Sequence, residues 1–181
     1  MKLKERTLQQ EYVYRGKILN MRVDTVELPN GKLGRREVVE YSGAVAIVAI
    51  DEEGCVLLVR QYRYAVGKEL LEIPAGKLEN GEDPEAAVNR ELEEETGYTA
   101  GKLTKLLEFY STPGFTSEKM YVYLVTGLTA GQAAPDEDEF LELVRVPLDE
   151  AVEMVKRGEI CDAKSIVGLL AADQLAVGSR Q

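Results

Sequence analysis

The chain contains no histidine. Its absence excludes Ser-His-Asp and Cys-His catalysis, histidine general bases and histidine metal sites together. Tryptophan is missing as well, and only two cysteines occur, Cys55 and Cys161, far apart and outside any metal spacing. Two are too few for a zinc cage or a disulfide framework, and they suit a reducing cytoplasm. Long apolar runs are also lacking. The longest, Ala44 to Ile50, falls far short of a membrane span. The opening MKLKERTLQQEY is basic but has no apolar stretch behind it, which is not the pattern of a signal peptide. Basic residues are in the minority, 22 Lys and Arg against 32 Asp and Glu, giving a net charge of −10. That balance argues against a nucleic-acid backbone or an anionic membrane as partner. It still admits a small phosphorylated ligand, provided divalent cations neutralise the site locally.

What remains is 181 residues, 45% hydrophobic and 30% charged, enough for one domain with its own core. Glu11 to Tyr14 and Met21 to Glu27 read as strands. Leu28-Pro29-Asn30-Gly31 reads as a hairpin turn, because Asn-Gly tolerates the positive φ such turns need, and Arg35 to Tyr41 as the return strand. Ala44 to Ile50 and Cys55 to Tyr62 form a second hairpin around Asp51-Glu52-Glu53-Gly54, apolar enough to be buried on both faces. Further strands are expected at Leu103 to Tyr110, Met120 to Thr126 and Phe140 to Val146. Helices are expected at Leu148 to Arg157 and Ala163 to Ala176. The order points to an α+β fold, or a mixed sheet between helices.

The clearest helix runs from Asp83 to Gly97, DPEAAVNRELEEETG. Asp83 suits the N-cap, Pro84 the first helical position and Gly97 the C-terminal stop. At 3.6 residues per turn, Glu91, Glu94 and Glu95 share one face. Like charges at this spacing destabilise a helix by roughly 0.2–0.5 kcal/mol per pair, and the helix C-terminus favours cations instead. A solvated acidic face is the bland reading of such a run. A divalent cation supplies the missing compensation, since carboxylates are hard oxygen ligands for Mg²⁺ or Mn²⁺. Before the helix, Leu71-Glu72-Ile73-Pro74-Ala75-Gly76 leads into a loop where glycine lets the backbone approach a ligand, and a Pro-Ala-Gly carbonyl can itself ligate a metal.

Residues 76–98, GKLENGEDPEAAVNRELEEETGY, resemble the Nudix box, G-x5-E-x7-R-E-U-x-E-E-x-G-U, where U is bulky and apolar. Gly76, Glu82, Arg90, Glu91, Leu92, Glu94, Glu95 and Gly97 fall at their places, and Tyr98 stands where an aliphatic residue is usual. The resemblance implies a Nudix fold: a mixed β-sheet sandwiched between α-helices, here with an N-terminal antiparallel sheet extension. It implies hydrolysis of a nucleoside diphosphate linked to another group. Divalent cations neutralise the diphosphate and acidify water, and a carboxylate takes the proton. Carried over to this chain, Glu91 and Glu95 are the main metal ligands and are counted with the catalytic residues. Glu94 assists, and the Ala75 carbonyl completes the set. Glu82 is a less constant contributor. Arg90 pairs with a helix glutamate and holds it in position.

Outside the box the chain resembles the ADP-ribose pyrophosphatase branch, whose marker is a proline about 15 residues after the box. Pro113 stands there, within Ser111-Thr112-Pro113-Gly114-Phe115-Thr116-Ser117-Glu118. Gln61-Tyr62-Arg63 and Glu69-Leu70-Leu71-Glu72-Ile73-Pro74-Ala75-Gly76 also look like this branch. The resemblance puts Arg63 and Glu72 near the substrate, Arg63 suited to phosphate. Pro113 and Gly114 shape a loop under the terminal ribose, with Glu118 nearby. The bland readings are a surface charge for Arg63, a solvated strand residue for Glu72 and a plain turn for Pro113-Gly114. The base is expected from Asp136-Glu137-Asp138-Glu139-Phe140-Leu141-Glu142. Glu139 is the choice, with Glu137 and Glu142 as fallbacks.

Residues 1–40 are then a β extension used for dimerisation and for part of the adenosine pocket, and 41–181 the hydrolase domain. In this branch the extension is commonly exchanged between two subunits, so a homodimer is expected. Without tryptophan, a Tyr, an Ile or an arginine must stack the adenine, and Arg35 and Arg36 are candidates. The expected activity is cleavage of ADP-ribose to AMP and ribose 5-phosphate. The rivals are another nucleotide sugar such as GDP-mannose or UDP-glucose, a non-catalytic ligand sensor, and an acidic interaction domain.

Overall fold

The computed structural model describes residues 3–135 and 139–178. In chain order the elements are β1 (Arg6–Arg15), β2 (Asn20–Glu27), β3 (Leu33–Glu40), β4 (Ala44–Ile50), β5 (Cys55–Arg63), β6 (Lys68–Glu72), β7 (Ala75–Lys77) and α1 (Pro84–Thr96). They continue with β8 (Tyr98–Thr99), β9 (Lys102–Tyr110), β10 (Lys119–Thr126), β11 (Thr129–Ala130), β12 (Glu142–Pro147), α2 (Leu148–Lys156) and α3 (Ala163–Gly178). They form two compact units, residues 1–43 with 110–119, and residues 44–109 with 120–181.

The second unit is built on the sheet β12-β5-β4-β10-β9, with β6 paired to β5 and β7 to β4. β4 and β10 run parallel; the other pairings of β4 and β5 are antiparallel. β4 reads AVAIVAI because both of its faces are covered. On one side Val45, Ile47, Ala49 and Leu57 pack with Ala87, Val88 and Leu92 of α1. On the other, Gly168 brings α3 so close that a β-carbon there would lie 2.9 Å from Ile73 and 3.0 Å from Val48. The mixed sheet between helices is therefore present, and each buried Leu or Val side chain contributes about 1.5–3 kcal/mol. None of the helices in the described residues is long and apolar enough to cross a membrane.

In the first unit β1, β2 and β3 form an antiparallel sheet. Its β2–β3 turn closes where the Leu28 amide donates to the Lys32 carbonyl, 2.8 Å, with Gly31 at φ +79°. Residues 110–119 join this unit along the edge of β3. The Val39 amide donates to the Phe115 carbonyl (2.8 Å) and the Ser117 amide to the Val39 carbonyl (3.0 Å).

Three departures from the sequence pattern have physical causes. β1 begins at Arg6 rather than Glu11, because its register with β2 extends the ladder through residues that do not alternate. β6 and β7 lie in a stretch for which the sequence pattern set no strand bounds, since KELLE and AGK become strands by pairing with β5 and β4 rather than by propensity. β12 starts at Glu142, leaving Phe140 outside it and 85% exposed.

Candidate active site

α1 carries the acidic residues, and its ends are fixed as its sequence dictates. The Asp83 carboxylate accepts from the Glu85 amide at 2.9 Å, Pro84 takes the first turn, and Gly97 ends the helix at φ +74°. Leu92 is fully buried; Glu95, three residues on and on the same buried side, and Glu91 beside it bear on the β7 segment.

Arg90 is the hub of this face. Its Nε and Nη2 both donate to Glu82 at 3.0 Å. Nη1 donates to Glu91 (2.6 Å) and Glu94 (3.1 Å), and Nη2 to the Lys77 carbonyl (3.2 Å). These bonds hold the Glu82 carboxyl below its usual range and keep Arg90 charged. Part of the compensation for the acidic run is thus internal: one guanidinium serves three carboxylates.

Glu95 is left out of that arrangement. It is 7% exposed and has no ion pair among the described residues; the Ala75 amide donates to its Oε2 at 3.1 Å. Burial pushes its carboxyl up to about 8, against the pull of the Ala75 amide, and the charges of Glu91 and Glu139 push it further. Burial also raises Glu91, although Arg90 opposes the shift. Glu91 lies directly on Gly76: a β-carbon there would fall 1.8 Å from the Glu91 carboxyl carbon. Glu91 and Glu95 therefore both bear on the backbone at Ala75-Gly76, from the same helix face.

This donor set suits a divalent cation. Two carboxyl groups from one helix face, hard oxygen donors, sit together over the backbone of β7, Glu91 on Gly76 and Glu95 on the Ala75 amide. Among the described residues no three acidic side chains already converge as a finished metal cage. The geometry accounts for this, because Arg90 draws Glu94 and one Glu91 oxygen to itself.

Arg63, at the end of β5, grips Glu72 of β6 through Nε (3.0 Å) and Nη2 (2.7 Å). Glu72 is not a solvated strand residue. It is 1% exposed and also accepts from Lys164. Burial alone would raise its carboxyl, but the Arg63 and Lys164 bonds outweigh it and hold the group below its usual range. Arg63 is also close enough for its charge to act on Glu95.

Glu139 is exposed, and its charge is felt by both Glu91 and Glu95. It lines an open cleft of about 520 Å³ together with Arg60, Gln61, Tyr62, Glu69 and Phe140. Glu142 lines the same cleft and pairs with Arg60 across the β12–β5 ladder, 3.1 Å. Glu137 lies outside the described residues.

The remaining candidates belong to the first unit. Pro113 and Gly114 are exposed in the turn closed by the Phe115 and Thr116 amides on the Thr112 carbonyl. Glu118 accepts from the Ser111 hydroxyl and so ties the ends of that loop together. Arg36 is fully engaged, with Nε and Nη2 on Glu5 and Nη1 on the Arg35 carbonyl.

Sequence reasoning missed Asp162, Lys164 and Ser165, which surround Glu72 and Ile73 from α3. One signal was legible: Asp162 stands three residues before Ser165 at the start of a helix, an N-cap spacing, and its carboxylate does accept the Ser165 amide at 3.0 Å. Nothing local points from Lys164 to Glu72, 92 residues away.

The chain matches the NUDIX domain model over residues 40–167 and the nucleoside diphosphate sugar hydrolase N-terminal domain model over residues 5–39. It is 47% identical to an ADP-ribose pyrophosphatase of Bacillus subtilis (strain 168) over 165 residues, covering 90% of this chain and 89% of that one. It is 43% identical to the methanol dehydrogenase activator of Bacillus methanolicus over 167 residues, covering 91% and 90%. A crystal structure of an ADP compounds hydrolase superposes with a TM-score of 0.86 at 28% identity, covering 97% of this chain and 96% of that one. The NUDIX domain match over residues 40–167, with relatives and a solved structure that align with this chain almost end to end, places the chain in the Nudix family of hydrolases.

Proposed function

We propose that the protein hydrolyses the diphosphate bond of ADP-ribose to AMP and ribose 5-phosphate, with Mg²⁺ as its cofactor and Mn²⁺ as an alternative. The observation that carries this reading is Glu95: a buried carboxyl group without an ion pair among the described residues, beside Glu91 on its glycine seat. The choice of ADP-ribose draws on the Bacillus subtilis relative of that name and on the Pro113 spacing.

Glu91, Glu94, Glu95 and the Ala75 carbonyl would hold the cation. When bound, it neutralises diphosphate oxygens and lowers the pKa of water. Arg63 presents its guanidinium to a phosphate, with Glu72 acting through it. Glu139 accepts the proton of the attacking water. As that water's oxygen bonds to one phosphorus, the bridging P–O bond breaks and the second phosphate departs with the bond's electrons. Pro113, Gly114 and Glu118 frame the terminal ribose. Residues 1–40 serve as the dimerisation extension, with Arg36 near the adenosine, and residues 41–181 carry the chemistry. The working form is a cytoplasmic homodimer that binds neither nucleic acid nor membrane.

The test is hydrolysis of ADP-ribose beside GDP-mannose and UDP-glucose, with and without Mg²⁺, with products identified by chromatography. Preference for ADP-ribose, with AMP and ribose 5-phosphate formed only when metal is present, is the expected result. Preference for another nucleotide sugar would move the substrate assignment. Absence of metal-dependent turnover on all three would remove the enzymatic one.

A further inference from the structure

We infer that Lys164 is a positioning residue for substrate binding, holding the Glu72 carboxylate so that Arg63 offers a fixed guanidinium edge to a phosphate. This rests on the proposed role of Arg63 and adds a residue to it.

The Glu72 carboxylate is 1% exposed and carries two cations on its two oxygens. Arg63 bridges Oε1 and Oε2, and Lys164 also donates to Oε2. Lys164 is itself held from behind by Asp162, 2.9 Å away, and its side chain is only 13% exposed. Arg63 is the exposed end of this chain at 41%, and its Nη1 has no hydrogen-bond partner among the described residues. The order Asp162–Lys164–Glu72–Arg63 thus alternates in charge, sums to zero, and runs from the first turn of α3 to a donor facing outward. That donor is also within electrostatic reach of Glu95, which connects it to the acidic helix.

Docking of α3 does not explain Lys164. The helix is already hooked to the sheet by the Ile73 amide, which donates to Ser165 Oγ at 2.9 Å, and by the close seat of Gly168 on Ile73 and Val48. Asp162 already caps the helix by accepting from the Ser165 amide and hydroxyl. What Lys164 adds is charge and direction at Glu72. Without it a buried carboxylate would depend on Arg63 alone and would draw that side chain inward, because a desolvated charge takes every donor in reach.

The experiment is a double-mutant cycle between K164M and R63A, with KM and kcat measured on ADP-ribose at saturating Mg²⁺ and folding checked by circular dichroism. Arg63 contacts phosphate in the ground state, so the effect belongs in KM more than in kcat. The expected result is a KM raised about tenfold in K164M, recovered largely by K164R, with no further rise when K164M is added to R63A, as coupled neighbours behave. Additive changes in the cycle, or a K164M that lowers Tm with KM unchanged, would overturn the inference. If R63A leaves KM unaltered, the role given to Arg63 falls and this inference with it. If R63A raises KM and K164M does not, only the positioning role falls. Should K164M not fold, D162N reads the same coupling, since asparagine still caps α3 but removes the charge behind Lys164.

Discussion

The carboxyl group of Glu91 occupies the space that a β-carbon on Gly76 would need, 1.8 Å from its position. The first residue of the sequence motif is therefore a steric requirement of Glu91, the first glutamate of the acidic run in α1. Gly76→Ala should displace the Glu91 carboxylate and lower kcat/KM by about 10²-fold, the scale of a misplacement of roughly 1 Å at a reacting site. Circular dichroism should be unchanged, since Gly76 is not at positive φ. Full turnover in the alanine variant would mean that Glu91 can act from elsewhere.

Glu95→Gln should lose most Mg²⁺-dependent turnover while staying folded. Burial pushes the Glu95 carboxyl up to about 8, so without metal it is largely protonated at neutral pH, and glutamine replaces it with a neutral group of similar shape; the metal-free Tm should hold. Adding Mg²⁺ should raise the Tm of the wild type, by about 2.7 kcal/mol in stability at one hundred times the dissociation constant, and do much less for the variant. Calorimetry with and without EDTA measures both. An equal Mg²⁺ response in the two proteins would take Glu95 out of the metal set.

Glu72 gives a pH dependence of definite sign. Its folded carboxyl titrates below the ordinary value of 4.5 because Arg63 and Lys164 outweigh its burial. Its stabilisation is therefore complete above the unfolded pKa and is lost as pH falls through the folded one. Glu72→Gln should destabilise the protein by about 3 kcal/mol at pH 7, the low end for breaking a buried pair, because Arg63 is partly solvated. Urea unfolding should show the gap between variant and wild type narrowing only below about pH 4.5. A gap that stays constant to pH 3 would contradict the charge-based account.

Gly168→Ala tests the packing of α3. The added carbon would meet Ile73 at 2.9 Å and Val48 at 3.0 Å. Both contacts are side-chain atoms in a filled core, so overpacking should cost about 1–3 kcal/mol in urea unfolding. A gain in stability, as helix propensity alone would give, would show that the core relaxes around the methyl group.

Legibility in the sequence followed distance along the chain. The bounds of α1 were readable because a cap, a first-turn proline and a terminal glycine act within a few residues of themselves. β4 was readable because an apolar run of that length has to be covered on both faces. β6 and β7 were not, since their ladders are written in β5 and β4. Glu72 read as a solvated strand residue, or as one near a substrate, because nothing beside it in sequence announces the lysine that reaches it from α3.

The sequence by itself determined which chemistry is available. With no histidine and with glutamates spaced on one helical turn, carboxylates and a cation they can hold are what remain, because side-chain inventory and the 3.6-residue period do not depend on the rest of the fold. Tertiary structure alone decided which glutamate is left wanting. Arg90 takes up Glu91 and Glu94 within its own helix and Glu82 from just before it, while the sheet buries Glu95 with only a backbone amide. Burial and charge pairing are set by segments that meet across the fold, and their effect on a carboxylate exceeds what its neighbours in sequence can supply.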